Sequence, residues 1–463
     1  MRKTSTIFIC LAILVSFMLC ACTKEFQQQY ITDDQGRALI LHGLNVSGSA
    51  KSSPDRVGWA KKDDILRLSR DWGFNFERML VLWDGLEPEK GVFDEAYLDR
   101  IQERLDWCQE AGLSVVLDMH QDLYSIHFGG DGAPLWAIED NGWPAEYQDP
   151  WALNYLDPGV LAAFANFWDY RNPKYAYLQE HYTMAVMKLV ERFHDHPALI
   201  GYDLMNEPFP GYYKPLSFES QVLNPFCERL TAAIRSVDTD NWVFFEPVAL
   251  GVNQGTPSTL GVVKDTRPGG QRLAYFPHIY TIDLEVSGKY SSSQGWLMLW
   301  ENNRRSEIKN QNAPMLIGEI GVADSVIGEV EFLKDAMAMA DRSTSGWAYW
   351  SYDSGPMGVI NSDGSERAKI NCLIRVYPKA VAGCPTQYSY DPETRVFKLV
   401  FKETGINAPT EIYIPAKRFF PEGWKLTVSD PTGSWSGEWD AASEVLKVYT
   451  DPNQAGHTIT ITP

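Results

Sequence analysis

The sequence predicts an α/β protein, a (β/α)8 TIM barrel followed by a β-sandwich, and three features of its pattern predict it. Eight short apolar runs between residues 39 and 351 alternate with segments whose apolar residues recur at three- and four-residue spacing. Buried strands alternating with amphipathic helices form a parallel sheet covered by helices. Polar residues able to do chemistry recur where those runs stop, which is where a barrel displays its site. After Gly383 the helical pattern ceases and short alternating strands with frequent turns take over, the texture of a small β-sandwich.

The expected strands are 39–45, 75–81, 113–119, 199–205, 242–246, 273–279, 315–319 and 347–351. Helical patterns lie between most of them, at 62–72, 96–111, 175–193, 226–237 and 328–340. Eight such units argue for a closed barrel, and no glycine-rich phosphate loop follows the first strand, which weakens the open dinucleotide-binding alternative. In helix 96–111, Leu98, Ile101, Leu105 and Cys108 share an apolar face, so Cys108 reads as a buried free thiol. Between the third strand and its helix, residues 121–173 form an insertion rich in aromatics, among them Tyr124, Phe128, Trp143, Tyr147, Trp151 and Trp168. A loop that long in a barrel is functional or disordered, and its aromatic load argues against disorder. It is expected either to wall the cleft or to pack over neighbouring helices. A second aromatic stretch, residues 290–300, is a candidate for the opposite wall. Strands at 395–402, 411–415 and 458–463, with turns at Asp430-Pro-Thr-Gly433 and Asp451-Pro, build the sandwich. Its short apolar joint, residues 377–383, suits packing against the barrel better than a free linker. The expected domains are 1–22, a signal; 23–383, the barrel; and 384–463, the sandwich.

With 463 residues and 44% hydrophobic content the chain can bury a large core. Its formal charge of −19, with no basic run beyond the extreme N-terminus, excludes nucleic acid as a partner. Arg2-Lys3, the apolar stretch 7–19 and Leu19-Cys20-Ala21-Cys22 have the layout of a secretory signal, too short to span a bilayer. A small residue before a cysteine resembles a bacterial lipoprotein box with Cys22 as the lipidated residue; the alternative is an ordinary signal peptide, and either way the mature protein is exported. Setting Cys10, Cys20 and Cys22 aside, export permits disulfides, and Cys372 with Cys384 is the pair most easily imagined. No Cys/His spacing resembles a metal site, and nothing points to an organic cofactor.

The strand ends supply Arg78, then Asp118-Met-His120-Gln-Asp122, then Asn206-Glu207, His278 and Tyr280, Glu319 and Trp350. Taken singly, Arg78 suits an ion pair, His120 a satisfied core histidine and Trp350 plain packing. Taken together at one barrel mouth they point to function. Two glutamates so displayed, Glu207 and Glu319, suit glycoside hydrolysis, where one carboxyl protonates the leaving oxygen and the other attacks the anomeric carbon or activates water there.

Asn75-Phe-Glu-Arg78, His120, Asn206-Glu207-Pro208, His278-Ile-Tyr280, Gly318-Glu319 and Trp350 resemble the signature of the retaining glycosidases of glycoside hydrolase family 5. Within it, Leu41-His-Gly-Leu-Asn-Val-Ser-Gly-Ser-Ala-Lys51, Asp118-Met-His-Gln-Asp122, Gly132-Ala-Pro-Leu-Trp136 and Asp203-Leu-Met-Asn-Glu-Pro-Phe209 resemble endoglycoceramidases. The resemblance implies release of an intact glycan from the ceramide of a glycosphingolipid, with Glu207 as general acid/base and Glu319 as nucleophile. It implies carboxyl groups about 5–5.5 Å apart, a raised pKa for Glu207, and Arg78 and Tyr280 holding Glu319 ionised. Asn206 would bond the 2-hydroxyl of the sugar, His278 orient the acid/base, and Trp350 lie under the ring. His120, Asp122 and Lys51 would meet sugar hydroxyls, although Lys51 also suits a solvated surface. The competing readings are another family 5 β-glycosidase, acting on a small glycolipid, steryl glucoside or β-glucan, and a non-catalytic glycan-binding lipoprotein.

Overall fold

The computed structural model describes residues 28–47, 49–149 and 151–463. The expectation of a signal with Cys22 as lipidation site, and with it Cys10 and Cys20, lies outside the described residues.

The barrel strands are β1 (Leu41–Asn45), β2 (Phe76–Leu82), β3 (Ser114–His120), β4 (Leu199–Asp203), β5 (Trp242–Phe245), β6 in two pieces (Leu273–Tyr275 and His278–Ile279), β7 (Ile317–Ile320) and β8 (Gly346–Trp350). All pair in parallel. The order begins at the first piece of β6, runs through β5 to β1, then β8 and β7, and ends at the second piece of β6, so the sheet closes on itself. Its outer face is covered by α1 (Lys62–Arg70), α2 (Glu95–Ala111), α3 (Pro158–Trp168), α4 (Ala176–Phe193), α5 (Asn224–Arg235), α6 (Trp296–Gln311) and α7 (Glu329–Ser343). Helix α2 shows why such segments are helical. Asp94 caps its first turn through the amides of Ala96 and Tyr97, Gly112 ends it in the left-handed region, and Leu98, Ile101, Leu105 and Cys108 bury one face. Among the described residues no helix is long and apolar enough to cross a membrane.

Helix α6 begins inside the stretch, residues 290–300, where an aromatic cleft wall was expected. Its buried Leu297, Trp300, Arg304 and Ile308 recur at helical spacing, and Trp300 donates its indole N–H to the His278 carbonyl at 2.9 Å. Tyr290 is likewise buried, so this stretch supports β6 from behind.

The sandwich comprises β9 (Tyr377–Val381), β10 (Cys384–Asp391), β11 (Val396–Lys402), β12 (Thr410–Tyr413), β13 (Lys425–Val428), β14 (Ser436–Asp440), β15 (Val445–Tyr449) and β16 (Gly456–Thr462). One sheet runs β9-β12-β15-β14, with the two-residue strand Ala38–Leu39 added beside β9, and the other runs β10-β11-β16-β13. Residues 377–383, read from sequence as a joint, thus hold the sandwich strand that receives a strand from the barrel side. Tyr377 donates to the Gly73 carbonyl at 2.9 Å, and the Tyr413 ring lies so close to Gly73 that a Cβ there would come within 1.9 Å of it. Arg375 pairs with Asp341, and Arg418 with Glu366 at 2.8 Å. No disulfide joins Cys372 to Cys384. Cys372 lies in the short helix Ile370–Leu373 and Cys384 opens β10; the five-residue strand β9 between them carries the chain away by about 16 Å.

Candidate active site

Period-two alternation places the site. Phe76, Val116, Phe244, Phe276 and Ala348 form part of an apolar plug low in the barrel. Two residues further along each chain segment come Arg78, Asp118, Glu246, His278 and Trp350, and residues two apart on a strand share a face. The same inward faces that seal the floor therefore raise a polar layer above it.

Arg78 is the centre of that layer and is fully buried. Its Nη1 donates to Glu319 Oε1 at 2.8 Å and Asn45 Oδ1 at 3.1 Å; its Nη2 donates to Asp203 at 2.7 Å, Asn206 Oδ1 at 2.9 Å and Glu246 at 3.0 Å. Asp118 lies 3.0 Å from the same nitrogen. One guanidinium facing four buried carboxylates leaves an excess of negative charge, which the site relieves in two ways. Burial, with the Glu246 charge beside it, raises the Asp203 pKa well above the ordinary aspartate value, which favours its protonated form. Burial opposes charge on His278, yet Glu246, Glu319 and Glu207 together raise its pKa well above the ordinary imidazole value, which favours its cationic form.

Glu207 follows β4 in the left-handed region, φ 45°, a strained conformation for a residue with a Cβ. Its amide donates to Glu246 Oε2 at 2.9 Å and its carbonyl accepts from Gln121 at 3.0 Å, which hold the turn. Its Oε1 accepts from Asn253 at 2.7 Å and lies 3.0 Å from His278 Nδ1. Glu319 uses both oxygens differently, accepting from Arg78 on one and from the Tyr280 hydroxyl at 2.7 Å on the other. An oxygen of each glutamate and a ring nitrogen of His278 lie within 4.8 Å of one another. The two carboxyls thus approach closely around one small space, as an acid and a nucleophile acting on one glycosidic bond must. Burial raises the Glu207 pKa; the His278 hydrogen bond opposes this, and the charges of Glu319 and Asp122 add to it.

A second group adjoins this pair. Lys51 forms an ion pair with Asp122, and its Nζ sits 4.4 Å from the Trp350 ring centroid. His120 stacks on Trp350 with ring centroids 5.6 Å apart and an interplanar angle of 11°, and its Nδ1 lies 2.7 Å from Asp118. Burial and Lys51 oppose charge on His120, but Asp118 and Asp122 carry its pKa to about 9. Asp131 lies beside them, its pKa lifted to about 7 by burial against the pull of Lys51. Among the described residues, two sets of side chains have donor atoms close enough to hold a cation, Glu207 with His278 and Glu319, and His120 with Asp122 and Asp131. Arg78 and Lys51 already supply positive charge to them.

The structure thus brings together every described residue expected at the site: Lys51, Arg78, His120, Asp122, Asn206, Glu207, His278, Tyr280, Glu319 and Trp350. It adds Asn45, Asp118, Asp203, Glu246, Asn253, Gln121 and Asp131. Glu246 closed an expected strand and carried the same signal as its neighbours, whereas Asn253 and Asp131 lie in loops with no strand-end signal. The insertion divides residue by residue. Tyr124, Phe128, Phe164, Phe167 and Trp168 are buried and pack over the helices, while Trp143, Tyr147 and Trp151 are 51%, 70% and 40% exposed.

The family described as cellulase (glycosyl hydrolase family 5) matches residues 32–355, and the glycoside hydrolase family 5 C-terminal domain matches residues 375–462. The chain is 29% identical to endoglycoceramidase I of Rhodococcus hoagii (strain 103S) over 427 residues, 88% of this chain and 82% of that protein. It superposes on endo-glycoceramidase II from Rhodococcus sp. in a ganglioside GM3 complex with TM-score 0.88 and 37% identity, covering 94% of this chain and 100% of the other. The lactosyl-enzyme intermediate of that enzyme superposes with TM-score 0.86 and 38% identity, over 94% and 99%.

Proposed function

Since the chain belongs to glycosyl hydrolase family 5, we propose that it is a retaining endo-β-glycosidase that hydrolyses the bond between oligosaccharide and ceramide in glycosphingolipids. The observation that carries this reading is the short Glu207–Glu319 spacing at the base of a mouth whose rim presents exposed aromatics. A polar floor suits the glycan and an apolar rim suits the lipid.

In the first step Glu319 attacks the anomeric carbon while Glu207 gives its proton to the departing ceramide oxygen, leaving a glycosyl ester on Glu319. In the second, Glu207, now a carboxylate, takes a proton from water; the water oxygen bonds to the anomeric carbon and Glu319 leaves. Arg78 and Tyr280 fix the nucleophile, and His278 with Asn253 fixes the acid. Asn206 gives one amide hydrogen to the Gln121 carbonyl at 3.0 Å, which leaves the other for the sugar 2-hydroxyl. Lys51, His120, Asp122 and Trp350 bound the glycan side. The protein is exported and held at a membrane through an acylated Cys22, a reading supported by the N-terminal sequence pattern.

The test is incubation of the mature protein, and of Glu319→Gln, with detergent-dispersed lactosylceramide. Wild type is expected to release ceramide and lactose together, and the variant to fall by at least about a thousandfold. Stepwise release of single sugars, or an active variant, would overturn the assignment.

A further inference from the structure

The chain enters the barrel from below. Ile31 is fully buried in the apolar plug at the amino ends of the strands, and its amide donates to Ser345 Oγ at 3.2 Å. Gln28 reaches the carbonyl of Thr344 at 3.5 Å. Thr344 and Ser345 immediately precede β8, so residues 28–31 lie against the face opposite the mouth. Exposed apolar side chains gather at the other end. Leu135, Trp143, Tyr147, Leu216, Leu250 and Val286 are all exposed and belong to loops that follow β3, β4, β5 and β6, on the side where Glu207 and Glu319 open.

We propose that the protein bridges two surfaces: a tether at Cys22 holds the floor of the barrel to one membrane while the mouth, with its apolar rim, takes glycolipid from a second. This rests on the readings of Cys22 as acylated and of the substrate as a glycosphingolipid. Five residues separate Cys22 from Gln28, and the six steps between them span at most about 20 Å. To lay the mouth on the tethering membrane the chain would have to pass the height of the strands, about 20 Å, and round the helix layer, about 10 Å more. The tether is too short for that turn. The occupant of the mouth face is a zwitterionic or neutral lipid surface bearing glycolipid, because a chain of charge −19 is repelled by anionic membranes.

The experiment uses acylated full chain reconstituted in phosphatidylcholine vesicles, with fluorescent lactosylceramide placed either in the same vesicles or in separate ones. Hydrolysis is expected in separate vesicles, rising with their concentration, with same-vesicle hydrolysis at high dilution lower by about tenfold or more. Inserting about forty Gly/Ser residues between Cys22 and Gln28 gives a flexible reach of about 35 Å and is expected to restore same-vesicle hydrolysis. Equal same-vesicle rates with native and extended tethers would overturn the proposal. Mass spectrometry showing no lipid on Cys22 would overturn it at the tether, and failure to cleave detergent-dispersed lactosylceramide would overturn the substrate reading instead.

Discussion

Glu207 and Glu319 are the same residue type with opposite jobs, and their neighbours separate them. Glu319 has both oxygens bound by Arg78 and Tyr280. Glu207 is partly buried, and desolvation, with the charges of Glu319 and Asp122 added to it, raises its pKa above the ordinary glutamate value of 4.5 against the pull of His278. A donor works only while protonated, so kcat/KM is expected to hold at acid pH and to fall tenfold per unit as pH rises through the Glu207 pKa. A pH–rate profile whose alkaline limb lies below the ordinary glutamate value of 4.5 would contradict this. Arg78 tests the same layer by removal. Arg78→Ala takes from buried Asp118, Glu246 and Glu319 the cation they share, leaving only His120 and His278 against them, and is expected to cost about 3–5 kcal/mol in denaturant unfolding together with activity. Arg78→Lys is expected to fail in activity as well, because an ammonium cannot reproduce the guanidinium's fork of bonds. The identities of these residues were legible from sequence. Their charges were not, because whether Asp203 keeps a proton depends on who else stands around Arg78.

At the scale of elements, strands and insertion behaved differently under sequence reading. Strand ends could be read because alternation with period two is a local property, and it alone puts Arg78 above Phe76 and His278 above Phe276. Helix α6 was hidden because its Trp296 and Trp300 look like a surface stretch until the spacing to Arg304 and Ile308 is followed. The insertion could be recognised as functional only as a whole. Which aromatics pack and which face outward is settled by contacts with α3 and α4. Replacing the exposed Trp143, Tyr147 and Trp151 with Ser together is expected to lower kcat/KM on lactosylceramide vesicles by about tenfold or more while a soluble aryl lactoside changes by less than about twofold. Parallel loss on both substrates would assign these residues to folding. Gly130 marks the insertion's tightest point, with only 1.8 Å between a would-be Cβ and the Asp122 carbonyl oxygen, next to the Asp122–Asp131 bridge that steadies the glycan side.

For the whole molecule, barrel and sandwich are one structure. Ala38–Leu39 joins the sheet of β9, Tyr377 and Tyr413 close on Gly73, and a continuous apolar cluster runs from Ile40 to Ile461. A chain ending at Val376 would expose this contact and leave Ala38–Leu39 without its partner strand. It is expected to yield no soluble, cooperatively melting barrel, checked by expression and thermal unfolding; a stable active fragment would show the sandwich to be an accessory.

The sequence by itself determined the closed barrel, the position of two glutamates at its mouth, and the residue types around them, because periodicity and strand ends are written locally. Only the tertiary structure decided the rest. It set the short distance between Glu207 and Glu319, convened Asn253, Glu246 and Asp131 around them, and divided the insertion's aromatics between core and rim. It also put residues 28–31 at the end opposite the mouth. Each of these depends on groups far apart in the chain meeting in a low-dielectric interior, where separation and burial fix charge and strength, and neither is encoded in any single stretch of sequence.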